Sequence, residues 1–305
     1  MAGGSAGAGR LCRGGDGLSN VFQIDKRKVR SAFDAAAADY EQHAVLQQEV
    51  LRRLLERLDL IRLQPRRVID LGCGPGDSLR PLARRYRKAR IAGLDLSPMM
   101  TARARSRGRW PRRPWAVCAD MERLPFADRS FDLAVSAAAL QWVNDLDGVF
   151  AEVRRTLSPG GLWLFATFGP DTLRELRAAF AAVDAAGTPH VNAFMDMHDI
   201  GDALVRAGFA DPVMDQETLT LTYPDFRSLL QDLRRIGVRN ALAGRAQGLF
   251  GPRRLQAAAA AYQAQFALEE RLPATWEVVY GHAWVPDAPP PSAVPGRFIP
   301  IRPAE

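Results

Sequence analysis

Short apolar runs and amphipathic stretches alternate through the first half of the chain, and the apolar runs have the length of buried strands. They predict strands over residues 67–71, 91–96, 115–118, 131–136 and 162–168. Helical spacing of apolar residues between most of these runs predicts helices over residues 79–86, 98–107 and 146–157. Strands that alternate with helices in this way favour a parallel sheet covered on both faces.

The flanking regions carry the same two kinds of pattern. Residues 26–60 have the spacing of amphipathic helices, and further helices are expected over residues 171–186, 198–207, 225–237 and 252–268. Residues 213–223 and 275–284 predict the last strands. We therefore expect an α/β protein with a Rossmann-like sheet, helices on both faces, N-terminal helices and a helical insertion before the last strand.

The two ends of the chain differ in composition from the middle. Residues 1–24 are dominated by Gly, Ala and Ser, and residues 285–305 are dense in proline, so we expect a disordered leader and a disordered tail. The leader faintly resembles an organellar transit peptide, although Asp16 argues against this. Between the ends we expect one domain over residues 25–284, with its core at residues 60–168 and a helical cap and insertion at about 170–270.

Composition narrows the possible functions only in part. The net charge of +7 comes mainly from arginine, which suits carboxylates, phosphates or an acidic protein, although an arginine- and alanine-rich composition explains much of the excess. No apolar run approaches the ~18 residues of a membrane span. The three cysteines lack metal-binding or disulfide spacing. We expect a soluble, cytoplasmic, monomeric protein without a metal, a membrane partner or a nucleic-acid partner.

A glycine-rich motif with two acids lies between the first predicted strand and the following helix. Its glycines, Gly72, Gly74 and Gly76, allow a sharp turn and a close approach of the backbone to a ligand. The spacing departs from the dinucleotide fingerprint G-x-G-x-x-G, and a pyrophosphate would be repelled by Asp70 and Asp77 on either side. S-adenosylmethionine fits better, because its ammonium and sulfonium groups are favoured by nearby carboxylates.

Acidic residues also follow the next two predicted strands. Asp95 is placed to accept hydrogen bonds from both hydroxyls of a ribose, and Asp120 to accept from an adenine amino group. Leu96 and Met121 would form apolar walls beside the adenine ring. Each acid alone could equally be a helix cap or turn residue. Acids at three successive strand ends favour a cofactor site.

Several blocks outside this motif resemble one family of class I methyltransferases, the malonyl-acyl-carrier-protein O-methyltransferases that begin biotin synthesis. The resemblance covers residues 26–284 and rests on residues 29–33, 39–41, 124–132, 140–142, 167–176, 190–199 and 278–284. It implies methyl transfer from S-adenosylmethionine to the free carboxylate of a malonyl group on phosphopantetheine, carried by acyl carrier protein or coenzyme A. With the motif above, it gives a cofactor-binding set of Asp70, Gly72, Cys73, Gly74, Gly76, Asp95, Leu96, Asp120, Met121 and Ser136.

The implied reaction needs few catalytic side chains. A malonyl carboxylate is ionised at neutral pH and is already the nucleophile, so alignment and exclusion of water suffice. Arg174 is our candidate for orienting this carboxylate, although a solvated arginine paired with Glu175 or Glu41 is a common alternative. The resemblance favours Tyr40 as a cover over the methionine end of the cofactor. Gln141 and Trp142 are expected to wall the methyl-transfer site.

Arginines of the predicted insertion could meet an acidic carrier protein and the phosphate of its prosthetic group, or form a solvated face. They are Arg234, Arg235, Arg239, Arg245, Arg253 and Arg254. Two other functions stay open at this point. One is methylation of another small molecule, such as a quinone precursor. The other is a non-methylating assembly factor that binds S-adenosylmethionine, some relatives of which hydroxylate arginine.

Overall fold

A computed structural model describes residues 23–107, 114–183, 191–237 and 251–287. Residues 1–22 and 288–305, which hold nearly all of the expected leader and tail, lie outside them. The strands are β1 (Arg67–Leu71), β2 (Arg90–Asp95), β3 (Trp115–Cys118), β4 (Phe131–Ala137), β5 (Leu157–Phe168), β6 (Ala210–Tyr223) and β7 (Leu272–Trp284). The helices are α1 (Lys26–Ala36), α2 (Tyr40–His43), α3 (Val45–Glu56), α4 (Leu79–Arg85), α5 (Pro98–Ser106), α6 (Leu146–Thr156), α7 (Arg174–Ala181), α8 (Met197–Arg206), α9 (Phe226–Arg235) and α10 (Pro252–Phe266).

All seven strands form one sheet in the order β3-β2-β1-β4-β5-β7-β6. The five strands from β3 to β5 pair in parallel, whereas β7 runs antiparallel to both of its neighbours. This confirms the predicted Rossmann-like sheet. The chain order reverses at β1, which lies between β2 and β4, and parallel α/β sheets bind ligands at such a switch point.

Alternate residues of the central strands fill two cores, one on each face of the sheet. Val68 and Leu133 face the core beneath α3, α7, α9 and α10, while Ile69 and Trp163 face the core beneath α6 and α8. Trp163 stacks on Phe165 with ring centroids 5.4 Å apart. Because helices cover both faces of the sheet, the central strands consist almost entirely of apolar residues, as the sequence indicated.

Helix α7 begins three residues later than predicted, at Arg174. The preceding residues bond to β7 instead: the Asp171 amide donates to Glu277 Oε2 at 2.8 Å, and the Leu173 amide donates to the Thr275 carbonyl at 2.7 Å. Leu173 adopts a left-handed backbone with φ +56°. The predicted helical end over residues 182–186 reaches into the undescribed segment 184–190.

Strand β5 also differs from the prediction, since it begins at Leu157 rather than at residue 162. Its first part pairs with β4 through a shifted register that falls between Phe131 and Leu133. Within the described residues, no helix combines the length and apolar character needed to cross a membrane. Cys73 and Cys118 are free thiols.

Candidate functional site

A cavity opens where β1, β2 and β4 end, at the switch point of the sheet. We call it the glycine-loop cavity. Its lining combines loop backbone, two acids and an apolar roof from the N-terminal helices. The lining residues are Lys26, Val29, Phe33, Tyr40, Gly72, Gly74, Leu94, Asp95, Leu96, Met100, Ala119, Asp120, Met121, Ala137, Ala138, Ala139, Trp142 and Val143.

The glycine loop is held against the end of β2. The amides of Gly72 and Cys73 both donate to the Leu94 carbonyl, at 2.7 and 2.9 Å. Gly74 has φ +53°, and a Cβ added there would meet no atom within 4 Å, so its backbone lies open to the cavity. A Cβ on Gly76 would instead lie 3.1 Å from Ala104, so this glycine allows α5 to pack closely behind the loop.

Asp95 connects the loop to the next strand end. Its Oδ2 accepts from the Gly74 amide at 2.9 Å, and its Oδ1 accepts from the Ser97 amide at 2.8 Å. Each carboxylate oxygen can accept a further hydrogen bond, and the side chain lines the cavity. Burial raises the pKa of Asp95 to about 6, while the two backbone donors lower it in part.

Asp70 lies beneath the loop rather than in the cavity lining. It is buried and accepts a hydrogen bond from the Ser78 hydroxyl. Burial raises the pKa of Asp70 to about 7, and the neighbouring carboxylates of Asp95 and Asp77 raise it further, against the effect of Ser78. Asp70 therefore acts on the cavity through its charge and through the loop it supports.

Two other members of the expected cofactor set also point away from the cavity. The Cys73 side chain packs with Leu79 and Ala104 behind the loop. Ser136 is fully buried, and its hydroxyl donates to the Leu71 carbonyl at 2.7 Å, which ties β4 to β1. Cys73 and Ser136 therefore support the backbone around the cavity and do not line it.

Asp120, Met121 and Leu96, the expected adenine-binding residues, all line the cavity. A cation that the sequence reading missed is also present. Lys26 Nζ lies 2.9 Å from Asp120 Oδ1 and 3.0 Å from Glu122 Oε1, and its side chain is only 22% exposed. The acidic wall is thus partly neutralised by the first residue of α1.

Helices α1 and α2 form a roof over the cavity. Val29, Phe33 and Tyr40 face downward, and the ring of Phe33 meets Trp142 edge-on with centroids 5.6 Å apart. The hydroxyl of Ser97 donates to Asp34 at 2.5 Å, which fixes α1 to the end of β2. This roof would shield a bound ligand from water.

A second cavity, the β5 cavity, adjoins the first and shares Val143 with it. Its lining includes Gln141, Asn144, Thr167 and Phe168. Gln141 Nε2 donates to the carbonyl of Ala138 at 2.7 Å, and its Oε1 accepts from the Thr167 hydroxyl at 3.4 Å. Its described polar lining consists of neutral groups, with no charged side chain.

Arg174 is near this edge of the sheet, at the start of α7, but it lines neither cavity. Its side chain is 58% exposed, with Nη1 3.9 Å from Asp171 Oδ2 and Nε 3.5 Å from Glu175 Oε1. The structure therefore brings Tyr40, Trp142 and Gln141 to the cavities and leaves Arg174 outside them. The described residues hold no cluster of metal ligands.

Comparison with known proteins agrees with this geometry. The family described as a methyltransferase domain matches residues 69–165, which include the glycine loop and both acidic strand ends. The chain resembles the fold of a putative methyltransferase of Bacillus halodurans (TM-score 0.54, 18% identity, 77% of this chain and 98% of that one). It also resembles a putative methyltransferase of Haloferax volcanii, solved with its Trm112 activator (TM-score 0.53, 20% identity, 85% and 97%).

Two curated relatives are much closer in sequence. The malonyl-acyl-carrier-protein O-methyltransferase of Laribacter hongkongensis is 51% identical over 281 residues, which is 90% of this chain and 94% of the relative. That of Halorhodospira halophila is 51% identical over 262 residues, 86% and 88% of the two chains. The chain therefore belongs to the malonyl-acyl-carrier-protein O-methyltransferase family and has the class I methyltransferase fold.

Proposed function

We propose that this protein transfers a methyl group from S-adenosylmethionine to the free carboxylate of a malonyl thioester. The methyl ester would prime the chain elongation that leads to biotin, with acyl carrier protein or coenzyme A as the carrier. The observation that carries the proposal is the 51% identity to named malonyl-acyl-carrier-protein O-methyltransferases over most of both chains. We further propose that the protein works as a cytoplasmic monomer.

The residues that line the glycine-loop cavity suit the cofactor in charge and polarity. Asp95 would accept from the ribose hydroxyls, and Asp120 with Met121 would hold the adenine. The open backbone at Gly74 and the nearby carboxylates would receive the cationic methionine end, with Tyr40 above it. When bound, S-adenosylmethionine supplies an electrophilic methyl group on its sulfonium.

The protein's own contribution to the reaction would be to position the two reactants and to exclude water from them. A malonyl carboxylate is ionised at neutral pH, so no residue needs to remove a proton. Phe33 and Trp142, whose rings are in contact, would help to exclude water from the cofactor side and so leave the carboxylate poorly solvated. Gln141, held between Ala138 and Thr167, can donate to the acceptor from the neighbouring β5 cavity. Such alignment can supply up to ~7–11 kcal/mol of the barrier.

A direct assay tests this function. The full-length protein is incubated with S-adenosylmethionine labelled in the methyl group and with malonyl-carrier protein, malonyl-coenzyme A or acetyl-carrier protein. We expect base-labile methyl ester on both malonyl substrates and none on the acetyl carrier, which lacks the second carboxylate. Labelling of the acetyl carrier, or of neither malonyl substrate, would overturn the proposal.

A further inference from the structure

A third opening, the Trp276 groove, is lined by residues of α2, α3, β6, α9 and β7. Leu46, Tyr223, Ile236 and Trp276 form a buried, mainly apolar base, and Arg235 lies on the exposed rim. The groove is thus deep and apolar inside and polar at its mouth, which is typical of small-molecule sites.

Two buried polar atoms in the groove lining have no hydrogen-bond partner. Trp276 is 1% exposed and its indole Nε1 is an unpaired donor, while Gln47 Oε1 is an unpaired acceptor. Buried polar groups in folded proteins are nearly always paired, so an unpaired donor and acceptor in one groove indicate an absent partner. A ligand that carries both hydrogen-bond acceptors and donors, such as one with amide groups, could pair with these atoms.

The groove lies near both cavities of the proposed active site, although no residue of its lining also lines one of them. Tyr40 of α2 lines the glycine-loop cavity, whereas His43 of the same short helix lines the groove. On the other side, the ring of Trp276 lies 5.0 Å from that of Phe168, which lines the β5 cavity. One short helix and one ring contact therefore relate the groove lining to the residues that line the two cavities.

The rim offers a positive charge. Arg235 is exposed and makes no ion pair with any described residue. The nearest groove acid, Asp232, already accepts a hydrogen bond from the Tyr223 hydroxyl at 2.7 Å. An anionic group at the mouth could therefore bind Arg235, while Asp232 could accept from an amide N–H deeper in the groove.

We propose that the Trp276 groove binds the phosphopantetheine arm of the thioester substrate, with the arm's amides at Trp276 and Gln47 and its phosphate at Arg235. The inference rests on the proposed function, because that function requires an acceptor carried on such an arm. The arm carries a phosphate, a branched apolar portion and two amides before the thioester, and these groups correspond in kind to the exposed Arg235, the apolar base and the two unpaired atoms of the groove.

The test compares variants on acceptors that lack successive parts of the arm. Steady-state kinetics are measured with malonyl-coenzyme A, with malonyl-pantetheine, which has no phosphate, and with the malonyl thioester of ethanethiol, which has no amide. Trp276→Phe and Gln47→Leu should each raise KM about three- to tenfold for the first two acceptors and leave the third unchanged. Arg235→Ala should raise KM for malonyl-coenzyme A alone. Arg80→Ala, which removes an exposed arginine of α4 that lines neither the groove nor either cavity, is the control.

Equal effects on the ethanethiol thioester would overturn the inference, because the variants would then act through the fold or the acyl end. Unchanged KM for every acceptor would also overturn it and leave a groove that holds only water. If the wild-type protein methylates no malonyl thioester, the proposed function fails separately. Calorimetry with 4′-phosphopantetheine then still decides the groove: binding that Arg235→Ala weakens supports it, and absence of binding overturns it.

Discussion

Asp95 has two structural features at the glycine-loop cavity. It holds the amides of Gly74 and Ser97, and it faces the cavity with its remaining acceptor capacity. We predict that Asp95→Ala weakens S-adenosylmethionine binding by about 1–3 kcal/mol, since buried hydroxyls lose a charged acceptor and the loop loses an anchor. Isothermal titration calorimetry measures this directly.

A matched control exists at the opposite edge of the sheet. Asp132 likewise accepts from two backbone amides, those of Arg66 and Arg67, but it lies at the start of β4 and away from the cavity. Asp132→Ala should lower thermal stability without changing cofactor affinity in the protein that remains folded. If both variants bind the cofactor equally well, Asp95 is not a ribose ligand.

Arg174 stays a prediction as the ligand of the malonyl carboxylate. To reach the β5 cavity it must leave Asp171 and Glu175, and ion pairs of this exposure and length are worth at most about 1 kcal/mol. We expect Arg174→Ala to lower kcat/KM for malonyl-coenzyme A about tenfold or more while cofactor affinity stays constant. Arg174→Lys should restore little, because a planar two-point contact is lost.

Near-normal turnover of Arg174→Ala would instead assign the carboxylate to the neutral donors of the β5 cavity. Gln141→Ala should then be the more damaging change, since Gln141 lies in that lining. The pair of variants therefore decides which residue orients the acceptor.

Some residues that line the glycine-loop cavity were predicted from the sequence and others were not, and the two groups differ in which elements carry them. Asp95 and Asp120 follow strands, so the parallel order of the sheet brings them together. Lys26 and Phe33 reach the same cavity from α1, and no local spacing links that helix to strand ends more than sixty residues away. Lys26 and Phe33 are seven residues apart and therefore lie on one face of α1. This spacing could have indicated that both side chains point to the same place.

At the scale of elements, the buried carboxyl groups of Asp70 and Asp95 lie around the glycine loop. The loop itself, residues 72–76, contains no basic side chain. The pKa of Asp70 is raised to about 7 and that of Asp95 to about 6, mainly by burial. Between about pH 4 and pH 6 the folded protein keeps these two groups protonated, whereas the unfolded chain releases their protons. The contribution of the two groups to the free energy of unfolding is therefore largest below about pH 4. It is lost as the pH rises through 6 and 7.

This charge predicts a pH-dependent affinity for the cofactor. A cationic ligand prefers the ionised carboxylates, so S-adenosylmethionine should bind more tightly as the pH rises from about 5.5 to 7.5. Asp70→Asn should flatten the upper part of that rise, and S-adenosylhomocysteine, which lacks the sulfonium charge, should show a shallower dependence. Calorimetry across this pH range measures the affinity for each ligand. If the affinity depends on pH equally for both ligands, the prediction is wrong.

Element boundaries were predicted well wherever local pattern determines them. The strands β1 and β3 and the start of α5 agree with the sequence reading, and Pro98 with its N-cap Ser97 explains the last of these. The start of α7 was wrong by three residues because long-range bonds from Asp171 and Leu173 to β7 compete with the helix. Local propensity contains no information about such partners.

Across the whole molecule, the positive charge of the insertion is displayed on the surface. Helices α9 and α10 carry exposed arginines, namely Arg227, Arg234, Arg235, Arg253 and Arg254, whereas Arg239 and Arg245 lie outside the described residues. The net charge is +7, and a surface of this sign steers acidic partners toward it over distances that salt screens. Such a surface would suit an acidic carrier protein beside the Trp276 groove.

We predict that kcat/KM falls more steeply with ionic strength for malonyl-carrier protein than for malonyl-coenzyme A, because the protein substrate presents the larger charged surface. Reversing Arg234 and Arg253 to glutamate together should flatten the slope for the carrier protein. The control reverses Arg80 and Arg84, exposed arginines of α4, which changes the net charge equally. If this control flattens the slope as much, total charge governs the encounter and the insertion is only a solvated face; if it does not, the carrier protein docks on α9 and α10.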